Sequence, residues 1–184
     1  MNPPNETRQT AVRSATVGWR YDAVSIGYHG AVVHGRSITV FNQLHTQRVT
    51  LEGMILKPNM VLPGLTCPKQ AAVDEVADAT VTCLLRAVPA AVPGIAFLSG
   101  AQPYELASTH LNAMNLRFKT RMPWALTFSF SRAIQQPALE IWKGQQANAA
   151  TAQQALYHRA RCNSAARRGQ YRTEMENNVE SRAS

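Results

Sequence analysis

No stretch of this sequence approaches the roughly 18 consecutive apolar residues that a membrane-spanning helix needs, which excludes a helical span and favours a soluble globular class. The stretch from Met1 to Gly18 is polar and lacks the apolar run and small-residue cleavage site of a secretory signal, so a cytoplasmic location is expected. Cysteine is scarce: Cys67, Cys83 and Cys162 are odd in number, far apart and without CxxC spacing. Neither a disulfide framework nor a zinc site is suggested, and the three read as reduced thiols. The five histidines are scattered and read as surface or internally satisfied groups, so no metal and no cofactor is expected. Acidic residues are few, 11 against 19 Lys and Arg, and the resulting formal net charge of +8 raises the question of a nucleic-acid partner. Aromatic residues are few as well, and they supply no stacking platform among Arg159, Arg161, Arg167, Arg168 and Arg172, where much of the charge sits. A solvated helix face accounts for that cluster better than a nucleic-acid surface, and an anionic small substrate would use basic residues equally well.

What the sequence does contain is enough chain, 184 residues, for one domain with a real core. From Thr50 onward, short apolar runs alternate with helical periods, the signature of βα units and a parallel sheet. The first unit has a strand over Leu51–Asn59 and a helix over Val73–Val88, with Asp74 and Glu75 in the first turn where the helix dipole favours negative charge. The second has a strand over Gly94–Ser99 and a helix from Pro103 to Asn115. The third has a strand over Trp124–Phe130, a helix over Ala133–Trp142 and another from Asn148 to Ala166. Residues 1–40 do not join this pattern and read as an irregular extension, with Ala31–Val33 and Ile38–Phe41 as short strands. The last stretch, 172–184, is polar and reads as a disordered tail.

Two features carry chemistry. Lys57 follows Met54-Ile55-Leu56 inside an apolar strand, and burying an ammonium costs several kcal/mol unless it is paired or neutralised. Such a lysine is either a salt-bridged structural residue or an amine kept neutral to attack a carbonyl. The second feature is a repeated strand-to-helix junction built from small and hydroxyl residues: Ser99-Gly100-Ala101 in one unit, Ser129, Ser131 and Arg132 in the next. Hydroxyls, free backbone N–H groups and a guanidinium at adjacent strand ends make a phosphate cradle, and βα-barrels often bind phosphate on the loops after their last two strands.

The segments LEGMILKPNMV (51–61), FLSGAQ (97–102) and PWALTFSFSRA (123–133) resemble, in order and spacing, the sixth, seventh and eighth strand motifs of class I fructose-bisphosphate aldolases. AVPAAVPG (87–94) and LNAMN (111–115) resemble the same family, and the likeness runs from about Phe41 to Ala166. The resemblance implies an α/β fold: a partial TIM (β/α)8 barrel, about the last three βα units, over residues 41–171. It further implies Lys57 as the Schiff-base amine and Ser99, Gly100, Ala101, Ser129 and Arg132 as the phosphate-binding residues. The implied reaction is the reversible, metal-free cleavage of fructose 1,6-bisphosphate to dihydroxyacetone phosphate and glyceraldehyde 3-phosphate.

The sequence departs from the family at three points. Ala101 stands where the family has a second Gly, and Ser131 where eukaryotic members have Gly; a Cβ there crowds the backbone against phosphate. The family's first five strands supply an Asp, two further Lys and a Glu for acid–base work, and no segment before Phe41 resembles them. A truncated enzyme and a non-catalytic remnant or partner subunit therefore both stand at this point. The two long strand edges of a partial barrel also predict self-association, giving a homo-oligomer, or aggregation.

Overall fold

In a computed structural model of the chain, residues 24–25, 31–32, 34–64 and 67–177 are described. A two-stranded antiparallel pair, β1 (Val24–Ser25) and β2 (Ala31–Val32), precedes helix α1 (His34–Thr46). Three βα units follow: β3 (Ile55–Leu56) with α2 (Val73–Ala87), β4 (Gly94–Phe97) with α3 (Tyr104–Phe118), and β5 (Ala125–Phe128) with α4 (Arg132–Trp142) and α5 (Ala149–Arg167). The three strands form one parallel sheet in the order β3-β4-β5. Ile55 lies opposite Gly94 and Gly94 opposite Ala125, so the strands start level.

Alternation along the strands separates two faces. Leu56, Ile95, Phe97 and Leu126 point into the core and are all nearly inaccessible, where they meet Val76, Val81 and Leu84 of α2 and Leu111 and Met114 of α3. Ile55, one residue from Leu56, points to the other face and is 61% exposed. Helix α2 starts with the Glu75 carboxylate accepting a hydrogen bond from the Ala72 amide at 2.8 Å, which satisfies a donor that the helix itself leaves free. Thr80 on the same helix accepts from the Val61 amide at 2.9 Å and ties the segment after β3 to the helix layer.

Several expectations require correction. The strand expected over Leu51–Asn59 is only Ile55–Leu56, preceded by a 3₁₀ turn over Leu51–Gly53. Pro58 has no N–H, so the ladder stops there after the Leu98 amide reaches the Pro58 carbonyl at 3.0 Å. Ile38–Phe41, expected as a strand, lies inside α1, where Phe41 and Leu44, three apart, face the core. Val33 lies outside the described residues.

Arg159, expected on a solvated helix face, is 2% exposed. One of its terminal nitrogens donates to the Glu176 carboxylate; the other donates to Ser108 Oγ at 2.8 Å and lies 3.3 Å from the Tyr104 carbonyl. Its guanidinium also stacks over the Tyr104 ring at 4.6 Å. Glu176 belongs to a 3₁₀ turn, Thr173–Glu176, so residues 172–177 of the expected tail are anchored rather than free. A buried guanidinium must find a carboxylate, and that demand orders the turn. Tyr171 completes the anchor, donating from Oη to the same carboxylate at 2.7 Å.

Burial alone would raise the Glu176 pKa, but the hydrogen bonds from Arg159 and Tyr171 outweigh it and hold the group below its ordinary 4.5. Its contribution is therefore complete above pH 4.5 and is lost as pH falls through the lower folded value. Removing one partner of a buried pair leaves the other charge uncompensated, so Glu176→Ala is expected to lower the unfolding free energy by about 3–5 kcal/mol at neutral pH. Urea titration checks this, and an Arg159→Met, Glu176→Leu double variant should lose much less than the two single losses combined.

Candidate active site at the carboxyl ends of the strands

Because the strands run parallel, the residues just after each one lie along the same edge of the sheet. Lys57 follows β3, Ser99 follows β4 and Ser129 follows β5. The pairing persists beyond the regular strands, with the Leu98 amide on the Pro58 carbonyl and the Ser129 amide on the Phe97 carbonyl at 2.7 Å. Extending the register by two residues from Ile55 puts Lys57 in one row with Ala96 and Thr127, on the face turned away from the helices.

Lys57 itself is exposed, which corrects the expected burial. Its row sits on the open face shown by Ile55, and among the described residues it has no ion-pair partner. The structural salt bridge that was one account of this lysine is thus absent among those residues.

The loop after β4 is built for close approach. Gly100 has φ +58°, and a Cβ there would come within 2.3 Å of Asn59 Oδ1. Asn59, two residues after Lys57, is held by its own bond from the Met60 amide at 2.9 Å, so the Lys57 segment and the Ser99–Ala101 loop are packed together. Ala101 also has a left-handed φ, +63°, where a Cβ is disfavoured. Ser99 is buried, while Ala101 is exposed.

Behind this loop stands a pair that the sequence reading missed. Gln102 Nε2 donates to the Ser99 carbonyl at 2.8 Å, which fixes Gln102 Oε1 as an acceptor, and His110 Nδ1 lies 2.6 Å from that oxygen. The proton of His110 is therefore on Nδ1. Nε2 is a bare acceptor, buried without a partner among the described residues. Burial pushes the His110 pKa down from 6.5 to about 4. The available signal was a histidine eight residues from Gln102 on the inner stripe of α3, which alone looks like any core histidine.

The third junction supplies Ser129 and the start of α4. Ser131 occupies the N-cap position without a side-chain cap bond, and exposed Arg132 is the first helical residue. Uncapped amides at a helix start beside a guanidinium are a ready anion site. An apolar hollow lined by Phe41, Leu56, Thr80 and Leu84 lies on the helix side of the sheet and reaches Pro58 and Asn59 of the segment after β3.

A family model described as fructose-bisphosphate aldolase class-I matches residues 29–184. The chain belongs to the class I fructose-bisphosphate aldolases. It is 53% identical over 133 residues to fructose-bisphosphate aldolase B of Sparus aurata and 54% identical over 134 residues to that of Gallus gallus. A probable class 1 aldolase of Xylella fastidiosa is 50% identical over 135 residues. These matches cover 72–73% of this chain and 36–40% of the relatives, so the chain spans well under half the length of the aldolases it matches. Among solved structures, the Plasmodium falciparum aldolase in a ternary complex with TRAP and a small-molecule inhibitor superposes with a TM-score of 0.72 at 43% identity, over 76% of this chain and 40% of that one.

Two predictions arise from the loop. An L-residue at left-handed φ costs roughly 1–2 kcal/mol, offset by about 0.5–1 kcal/mol for the freedom of glycine, so Ala101→Gly should stabilise the chain by up to about 1 kcal/mol in urea unfolding. For His110, the unfolded chain takes up a proton below pH 6.5 that the folded chain refuses until about pH 4. Stability is therefore lost as pH falls across that window, on the order of 3 kcal/mol in all, and His110→Gln should flatten this part of the stability–pH curve.

Proposed function

We propose that the chain is the carboxyl-terminal part of an aldolase-type (β/α)8 barrel, its sheet corresponding to the sixth, seventh and eighth strands, and that it carries the nucleophile of fructose-1,6-bisphosphate cleavage. The observation that carries this reading is the placing of Lys57, Ser99 and Ser129 on one carboxyl edge of a parallel sheet, the edge at which barrel enzymes hold their active sites. In it, the neutral Lys57 amine adds to the C2 carbonyl of the ketose. Protonation of the resulting carbinolamine hydroxyl and loss of water then leave an iminium ion. The iminium draws in the electron pair of the C3–C4 bond as it breaks, the C4 hydroxyl gives up its proton, and glyceraldehyde 3-phosphate departs. This leaves an enamine on the lysine, which takes up a proton at C3 to become an iminium ion again; its hydrolysis frees dihydroxyacetone phosphate and restores the lysine.

Ser99, the Gly100 and Ala101 amides, Ser129 and Arg132 take the phosphate on the C1 side. Left-handed backbone at two successive residues turns amides outward, and Arg132 adds a charge-assisted bond. Proton transfers at C3 and O4 fall to groups beyond these three strands. The partners in this reading are a phosphorylated sugar and, through the open strand edges, further aldolase chain; nucleic acid and membrane have no role. The setting is cytoplasmic glycolysis and gluconeogenesis.

Borohydride reduction in the presence of dihydroxyacetone phosphate tests the proposal. The expected result is one stable adduct on the peptide containing Lys57, absent from Lys57→Met. Arg132→Ala should raise the dihydroxyacetone phosphate concentration needed for half-trapping by about ten-fold or more, since a bond to a charged group is worth roughly 1.5–3 kcal/mol. Absence of any adduct on the wild-type chain would favour the non-catalytic remnant, and an adduct persisting in Lys57→Met would remove Lys57 from its role.

A further inference from the structure

Outside the strand edge, three ligand-type atoms converge. His158 and Cys162 are four residues apart on α5 and share one face of the helix, a spacing overlooked when the histidines are read as scattered. The 3₁₀ turn after α5 brings Glu176 over them. His158 Nε2 lies 3.4 Å from Glu176 Oε2 and 3.7 Å from Cys162 Sγ, and all three ligand atoms fall within 4.8 Å of one another.

As a hydrogen bond the His158–Glu176 separation is loose, because a charge-assisted N–H···O⁻ bond spans about 2.7–2.9 Å. As edges of a coordination tetrahedron the two His158 separations are close to ideal, since bonds of about 2.0–2.3 Å to zinc place neighbouring ligand atoms about 3.3–3.6 Å apart, and the Cys162–Glu176 edge, within 4.8 Å, closes as the ion binds. The carboxylate is already oriented by Tyr171 on one oxygen and Arg159 on the other, as the outer partners of a metal-bound carboxylate usually are. Cys162 is fully buried, whereas the His158 and Glu176 side chains are 15% and 14% exposed and leave an approach for an ion.

We propose that His158, Cys162 and Glu176 form a binding site for a divalent ion of the zinc class, with the fourth position open to water. Thiolate and imidazole together select zinc over magnesium or calcium, which prefer oxygen alone. Binding forms a metal–sulfur bond and releases the Cys162 proton to solvent. The two positive charges of the ion then meet the two negative charges of thiolate and carboxylate, and the Arg159 guanidinium stays on the carboxylate as its outer partner. The site joins the chain after α5 to α5 itself, so its role is structural, and it shares no residue with the proposed aldolase site.

The competing account is a loose hydrogen-bonded chain, and metal uptake separates the two. The full-length protein, freed of metal by a chelator, is titrated with Co²⁺ and then with Zn²⁺. The expected result is a thiolate-to-cobalt charge-transfer band that saturates at one equivalent, is displaced by zinc, and is accompanied by a higher thermal midpoint. Cys162→Ala should abolish the band and His158→Gln should weaken binding by at least about ten-fold, while a Cys67→Ala, Cys83→Ala variant keeps it. Failure of the wild-type chain to bind cobalt saturably, or a band that survives Cys162→Ala, overturns the site. Should Cys162→Ala not fold, the half-buried His158→Gln decides, and unchanged cobalt affinity in that variant overturns the site equally.

Discussion

Parallel pairing of β3, β4 and β5 is the constraint on which the rest of this chain depends. Parallel neighbours cannot be joined by a tight turn, so each connection must cross back over the sheet, and here each crossing includes a helix. With α2 and α3 on one face, Leu56, Ile95, Phe97 and Leu126 are buried there. The same geometry delivers every strand to its junction in the same direction. Lys57, Ser99 and Ser129 lie along one edge of the sheet because of this.

A second constraint acts at the opposite end of the chain. Burying Arg159 at 2% exposure obliges the structure to supply acceptors, and it does so from two elements: Ser108 and the Tyr104 carbonyl from α3 and Glu176 from the turn after α5, while Ser108 in turn donates to Asn163 at 2.8 Å. Among the described residues the Nε proton is left without a partner, which marks this network as one that tolerates little further loss. A well-packed apolar triad at these positions could be equally stable or more so. What the ionic version adds is direction: only a carboxylate at Glu176 satisfies Arg159, and only the observed turn puts it there.

The helices were legible because their apolar periods are long: α2, α3, α4 and α5 lie within a few residues of their expected bounds. The strands were read too long, since an apolar run says nothing about where partner amides stop, and Pro58 ends the ladder regardless of Met60 and Val61. The charge cluster misled for a different reason. Ala152, Arg159, Cys162, Asn163 and Ala166 do recur on one helical face, but a reading that assigns arginine to solvent hides that stripe. The candidate site was legible as motifs. The Gln102–His110 pair behind Ser99 was not, because a buried tautomer is specified by neighbours that only the fold assembles.

The exposure of Lys57 bears on how such a site would work. A carbonyl-attacking amine has to be neutral, and neutrality is imposed by desolvation or by nearby cations. Both require atoms over the face that holds Ile55 and Lys57, and Ile55 at 61% exposure shows that face open among the described residues. The helix side is covered by α2 and α3, and the strand ends carry the hydroxyls and the guanidinium that the proposed reading assigns to phosphate. In the proposed reading, phosphate binding and nucleophile activation are separable on this scaffold. The first would depend on the Ser99–Ala101 loop and the α4 start, which β4, β5 and their helices hold in place, whereas the second would depend on atoms over the opposite face of the sheet.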